Sequence, residues 1–252
     1  STIGLPADYL STPEAWHLDD PSLHAFGEAN QPSGFVKNRM DDEYRWVVGL
    51  GNDEMGWVPE GWVISTFGRV SNCFDSKRIP LSKKQREEKK PGAIPYYGAT
   101  SVMDHVNEWI FDDVYLLVGE DGSVVKQDGT PYVQYIWGRS WVNNHAHVLQ
   151  GAAGISTEHL LLFISRANIS AYVTGAVQPK INQKNLNSIP FLLATDRLNE
   201  EFDQIVKPYF ERKRSLAVES DLLSEVRDTL LPKLLSGQLR VPEAERQVAE
   251  VL

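Results

Sequence analysis

Asp112, Asp113, Glu120 and Asp121, with Lys126 downstream, are the residues whose types could do chemistry together. They are the ingredients of the acidic-plus-lysine centre of a metal-dependent nuclease, in which carboxylates hold a divalent cation. Their spacing does not match such a centre. Glu120-Asp121-Gly122-Ser123 is explained by turn chemistry alone, since Asp-Gly supplies the positive φ a tight turn needs. His145 and His147 flank Ala146, so on a strand they share a face and are placed to hold a metal. No nearby Cys or acid in the sequence completes a tetrahedral set, so no metal is expected. No Gly-x-Ser-x-Gly elbow surrounds a serine. Gly119-Glu120-Asp121-Gly122 lacks the spacing of a dinucleotide loop and is not a Walker loop. Neither a catalytic set nor a bound cofactor is expected of this chain.

The charge is placed unevenly. The 252 residues carry a formal net charge of −9. Residues 1–61 hold 3 basic and 11 acidic side chains, net −8, and residues 191–252 hold 9 and 12, net −3. Residues 62–190 hold 13 and 11, net +2, and are the only part that is not acidic. Lys77, Arg78, Lys83, Lys84, Arg86, Lys89 and Lys90 fall within fourteen positions there, opposed by Glu87 and Glu88. Such a run reads either as a solvated loop or as a loop that contacts phosphates, whose neutralisation supplies most sequence-independent affinity for DNA. Charge alone does not choose between them.

Composition bounds the rest. With 42% hydrophobic and 23% charged residues, the chain has the make-up of a soluble globular protein. No apolar run approaches the ~18 residues a membrane span needs, and no signal segment opens the chain. Cys73 stands alone, which excludes an intrachain disulfide and favours a reducing, cytoplasmic setting. A first residue of Ser1 instead of Met fits a processed or excised piece of a longer chain.

The pattern predicts an α+β protein: a mixed α/β domain followed by a long, coiled-coil-like α-helix. Residues 1–56 are acidic and weakly patterned, and read as an extension or linker. Gly56-Trp57-Val58-Pro59-Glu60-Gly61-Trp62 reads as a Pro/Gly turn at a domain boundary, followed by a helix-like start over 65–70. Strands are expected at 114–118, 132–137 and 145–149, and a helix over 156–167 capped by Ser156 or Thr157. Leu160, Leu161, Phe163 and Ile164 form the buried face of that helix. Residues 182–187 read as a polar stretch. From about 196 to 235 the text is helical, with Pro208 expected to kink or restart it and Gly237 to end it. Phe202, Tyr209, Leu216, Leu223 and Leu230 recur every seven positions, with Val226 beside them, and form a thin seam that needs a partner helix.

With these elements in view, several segments resemble the target-recognition domain of the specificity subunits of type I restriction–modification systems. They are Trp57 to Trp62, Tyr96-Tyr97-Gly98-Ala99-Thr100, Leu116 to Ser123, Val142 to Leu149, and Thr174 to Asn182. The ending Leu230 to Val241 resembles the close of that family's spacer helix. The resemblance covers about residues 57–241. It implies a non-catalytic reader of double-stranded DNA whose domain recognises one half of a split target. Two antiparallel helices set the spacing in that family, and methyltransferase and restriction subunits dock on the scaffold. S-adenosylmethionine is then expected only on the methyltransferase partner.

One recognition domain and one long helix resemble the second half of such a subunit, or a halved form that pairs with its own copy. The division implied is an extension at 1–56, a recognition domain at 57–192, a spacer helix at 193–241 and a tail at 242–252.

Base reading needs donors and acceptors that reach the groove, backed by cations on phosphates. Lys77, Arg78, Lys83, Lys84 and Arg86 are the candidate backbone contacts. Lys126, Arg139, Asn143, Asn144, Lys180, Asn182, Gln183 and Lys184 are further DNA-binding candidates at element ends. Asn143-Asn144-His145 reads either as a turn bonding its own backbone or as a DNA contact. The aromatic series Tyr96, Tyr97, Trp109, Tyr132, Tyr135, Trp137 and Trp141 reads as core and core-rim packing ahead of base stacking. A metal-dependent nuclease with a dimerising helical tail is the rival reading, and an assembly scaffold that touches protein is a third.

Overall fold

The computed structural model describes residues 44–46, 57–59, 61–175 and 177–251. The chain divides into two compact units, Ser1–Val63 and Ile64–Leu252. In the first, β1 (Tyr44–Trp46) pairs antiparallel with β2 (Trp57–Pro59), Trp46 opposite Trp57. Residues 57–59 are thus a strand where the sequence suggested a turn. The rest of the expected 1–56 extension lies outside the described residues.

The second unit opens within β3 (Val63–Thr66), followed by a 3-10 turn at Phe67–Arg69 and β4 (Ser71–Cys73). The helix expected over 65–70 is therefore replaced by strand and turn. Val63, Ile64 and Thr66 are β-branched and prefer the extended chain. Next come α1 (Lys83–Glu88), β5 (Ile94–Tyr97), β6 (Val102–Val106), β7 (Phe111–Asp112) and β8 (Tyr115–Gly119). They are followed by β9 (Val133–Ile136), β10 (Arg139–Val142), β11 (Ala146–Gly151) and α2 (Thr157–Ile164). The unit closes with α3 (Gln183–Asn187), β12 (Pro190–Leu193), α4 (Asp196–Leu235) and α5 (Val241–Val251). This is the mixed α/β body with a long helix that the pattern predicts. The polar stretch at 182–187 is helical because the Asn182 side chain caps it by accepting from the Asn185 amide.

Two four-stranded sheets build the body, in the orders β6-β5-β10-β7 and β4-β11-β8-β9. The pair β5/β10 is parallel and the other pairs are antiparallel. β8 is buried along its whole length. Its Leu116 and Val118 join Leu149, Leu160, Ile164, Ile181 and Phe191 in the largest core cluster. Its Tyr115 and Leu117 point the other way and meet Phe111 and Val142 of the neighbouring sheet. The period of two thus sends one continuous apolar run into two cores. α2 is capped by Ser156 and buries Leu160, Leu161 and Ile164, with Phe163 half-buried.

α4 runs 40 residues, on the order of 60 Å, without a break at Pro208. Contacts on both sides of the proline hold it in line. Before it, Phe202 packs on His159 at 4.5 Å between ring centres, and the Ser156 hydroxyl donates to Asp203 at 2.6 Å. After it, Phe210 lies edge-on to Tyr135 at 5.1 Å. There too, Arg214 donates to the Tyr135 hydroxyl and to buried Glu158, the latter at 3.2 Å. Burial, and the charge and hydrogen bond of Glu158, push the Tyr135 phenol well above the usual tyrosine range. The helix ends before Gly237, whose φ of +72° suits the left-handed C-terminal position. The expected tail is α5, which packs on α4; Leu230 and Ala244 are buried there. Among the described residues no helix is long and apolar enough to cross a membrane.

Candidate nucleic-acid interface

Four of the segments singled out in the sequence meet at one end of the sheets. The turn after β5 closes by Gly98 donating to the Ser101 carbonyl at 2.9 Å, and the Asn143 amide donates to Tyr97 at 3.1 Å. The Glu120 amide donates to His145 at 2.8 Å, and Ile181 donates to the Glu120 carbonyl at 2.9 Å. Gly122 donates to Pro179 at 3.1 Å. Gly119 is required where these loops crowd, since a Cβ there would lie 2.7 Å from the Ser123 carbonyl oxygen. Segments up to about 85 residues apart in the chain become one polar surface.

A chain of charges ties this surface together from below. His147 is buried between Asp75, 2.6 Å from Nδ1, and the Ile181 carbonyl, 2.9 Å from Nε2. Asp75 also accepts from the Val148 amide at 2.9 Å and sits 3.2 Å from Arg78. Burial raises the Asp75 carboxyl, but the hydrogen bond and charge of His147, the Val148 amide and Arg78 outweigh it and hold it below the usual carboxylate range. Arg78 reaches Glu120 at 2.7 Å and the Ala146 carbonyl at 2.6 Å. Glu120 in turn lies 3.2 Å from Lys180. Beside this chain Asp121 holds His145 at 2.6 Å.

The candidate DNA contacts divide into three groups. Arg78 and Arg86 are committed inside the protein. The Arg78 side chain is 12% exposed, and Arg86 binds Asp104 and the Leu81 carbonyl while lying over the Tyr96 ring. Asn143 is buried, its side chain accepting from the His145 amide and donating to the Met103 sulfur. Arg78, Arg86 and Asn143 act on the fold, because a side chain already bonded on all sides has little left for a phosphate or base, whereas Asn182 caps α3 with its side-chain oxygen and stays exposed.

Asn144, Lys180, Gln183 and Lys184 are exposed at or beside the loop surface. Lys77, Lys83, Lys84, Lys126 and Arg139 are exposed elsewhere on the body. Lys77 lies over Phe74, Lys84 is 4.0 Å from Glu88, Lys126 lies over Tyr132, and Arg139 stacks on half-exposed Trp109 at 4.0 Å. Tyr96 and Trp141 of the aromatic series are core residues.

The nuclease constellation is taken apart. Asp113 and Glu120 flank β8 at opposite ends, roughly 20 Å apart at ~3.3 Å per strand residue. Asp112 faces Arg139, while Glu120 and Asp121 are held by Arg78, Lys180 and His145. The sequence offers no Cys or acid near His147 that completes a tetrahedral set, but folding brings ligand atoms of Cys73, Asp75 and His147 within 4.8 Å of one another. That trio suits a fold contact better than a cation. Burial pushes the Cys73 thiol up to about 12, keeping it protonated, and Arg78 already supplies positive charge against Asp75.

On α4 the seam is divided. Phe202 turns to the body and Leu230 is buried near α5, so both serve contacts within the chain. Tyr209, Leu216 and Leu223 remain exposed, at 74%, 46% and 45%, with Val226 half-buried. A shallow groove beside Leu216 and Leu223 is flanked by Arg212, Glu219 and Arg227. Sequence reading missed Asp75, and it missed the polar contacts of Tyr135, read there as packing, with Glu158 and Arg214. The last three are 23 to 79 residues apart, and no local pattern joins them.

The fold is thus a loop-bearing α/β module fixed to a long helix with an exposed apolar stripe. Residues 59–208 match the family described as the type I restriction modification DNA specificity domain, and the chain belongs to that family. It is 28% identical over 141 residues to a putative type I restriction enzyme specificity subunit of Haemophilus influenzae, covering 56% of this chain and 34% of that protein. It is 22% identical over 211 residues to the type I restriction enzyme MjaIX specificity subunit of Methanocaldococcus jannaschii, covering 76% and 48%. The matches thus span about a third to a half of those relatives. The crystal structure of a type I restriction–modification S subunit from M. genitalium has a similar fold, with a TM-score of 0.51 at 17% identity, covering 75% of this chain and 48% of that one.

Proposed function

We propose that this chain reads one half of a split double-stranded DNA target as part of a type I specificity subunit. The observation that carries the reading is the convergence of four distant segments into one surface bearing Asn144, Lys180, Gln183 and Lys184. Amides and cations on loops are the groups that read base edges and hold phosphates. In this reading residues 57–192 are the reader and residues 193–241 the spacer, with residues 1–56 an extension and 242–252 a tail. The exposed stripe of Tyr209, Leu216 and Leu223 takes a second spacer helix, from another copy or another half, and offers the methyltransferase subunit its dock.

Arg212 and Glu219 support an antiparallel pair. They flank Leu216 with opposite charge, so a two-fold axis near it sets each arginine near the other helix's glutamate. The chain itself performs no catalysis and works in the cytoplasm. Methyl transfer from S-adenosylmethionine belongs to the methyltransferase subunit, and cleavage to the restriction subunit.

The test combines the purified chain with a type I methyltransferase subunit, S-adenosylmethionine and a pool of random duplexes. Methyl transfer is expected on a narrow subset of duplexes, and only when both proteins are present. Magnesium-dependent cleavage by the chain alone, or a complex that prefers no duplex, would overturn the proposal.

A further inference from the structure

We infer that Glu120 and Asp121 are positioning residues for base reading, which fix the distance between two reading loops without touching DNA themselves. The inference rests on the DNA-reading proposal and deepens it. Glu120 is where the loop surface is tied together. Its amide bonds His145, its carbonyl bonds Ile181, and its carboxylate bridges Arg78 at 2.7 Å and Lys180 at 3.2 Å. That side chain is 13% exposed. Asp121 adds a second clamp, bonding His145 Nδ1 at 2.6 Å, and its own side chain is 19% exposed.

Both carboxylates therefore face inward onto cationic or imidazole groups, and each holds a different loop. Glu120 holds the 174–182 loop through Lys180, and Asp121 holds the 143–145 turn through His145. The exposed groups on the two loops, Asn144 on one side and Gln183 and Lys184 just beyond the other, are spaced by these contacts. A carboxylate set at a DNA surface repels phosphate, so its presence there costs affinity. What it supplies here is a fixed register between donors, and bidentate base contacts depend steeply on geometry.

The position of the charge gives the test its sign. If the acids were only surface charge, removing them would strengthen binding to every duplex equally. If they were only structural, the folded fraction would fall and all affinities would weaken in parallel. A positioning role moves neither uniformly. The 252-residue chain is used to select duplexes from a random pool at low salt, and binding of one preferred and one unselected duplex is then measured for the wild type, Glu120→Gln and Asp121→Asn.

Each variant is expected to lose roughly tenfold in the ratio of preferred to unselected affinity, the scale of one lost base contact. For Asp121→Asn the salt slope should stay unchanged, because no lysine or arginine is removed or released. Asp121→Asn keeps the test open if Glu120→Gln unfolds, since its partner His145 is 46% exposed and the buried Arg78–Glu120 pair is intact. An unchanged ratio in a folded Asp121→Asn chain would overturn the inference while leaving DNA reading in place. A wild type that selects no duplex would overturn both.

Discussion

Replacing Leu216 and Leu223 with aspartate separates association from folding. Each leucine keeps nearly half of its surface in water, 46% and 45%. Fully burying a leucine side chain is worth about 1.5–3 kcal/mol, so covering the remaining half gives about 1 kcal/mol each. In a symmetric pair two helices contribute two leucines apiece, for about 4 kcal/mol, or roughly a thousandfold in the association constant. Aspartates in the same seam would also face one another and lose hydration, which adds to the loss. Folding should barely respond, because exposed positions usually shift stability by no more than about 0.5 kcal/mol. Sedimentation equilibrium of the chain, alone and with the methyltransferase subunit, measures the first effect, and thermal unfolding of the isolated chain measures the second. A double variant that associates like the wild type would refute the stripe as an interface. One that unfolds several degrees early would show that the leucines already serve the chain's own fold.

Arg214→Met should destabilise the Ile64–Leu252 unit by about 2 kcal/mol, below the 3–5 kcal/mol of a fully buried pair because Arg214 is 23% exposed. Thermal unfolding should show it, and Glu158→Gln in the same chain should recover part of the loss, since it removes the stranded charge. Lys83→Ala with Lys84→Ala should flatten the dependence of log affinity on log salt by about 2 if both meet phosphate, whereas Arg86→Ala should lower stability, having lost Asp104 and the Leu81 carbonyl. Asp75 is held below its unfolded value, so its contribution is complete above about pH 4 and is lost as pH falls through the lower folded value. Acid titration of Asp75→Asn should accordingly show a shallower loss of stability below pH 4 than the wild type, and an equally steep loss would contradict the charge chain.

The residues most open to reading from sequence were those whose partners lie nearby in the chain. The helix expected from about 196 to 235 is observed as Asp196–Leu235, because its composition and its glycine stop act locally. The strands expected at 114–118, 132–137 and 145–149 are displaced by only a residue or two, since runs such as Tyr115-Leu116-Leu117-Val118 are apolar on both faces. Short strands such as β5, β6 and β10 were not legible. β6 is an exposed edge carrying Asp104 and His105, and β5 pairs in parallel with a strand more than forty residues away.

Sequence by itself determined the class of fold, the long helix with its thin apolar repeat, and the segments that mark the family. These follow from local periodicity, turn chemistry and residue identity, which survive without coordinates. Tertiary structure alone decided which polar groups are free. Arg78, Arg86 and Asn143 look no different in the sequence from Lys83, Asn144 or Gln183, yet the first set is bonded inward and the second faces water. It also decided that Pro208 leaves the helix intact, and that Phe202 and Leu230 are used within the chain while Leu216 and Leu223 are not. The physical reason is the same in each case. A side chain's availability depends on partners brought close by folding, and those partners lie tens of residues away along the chain.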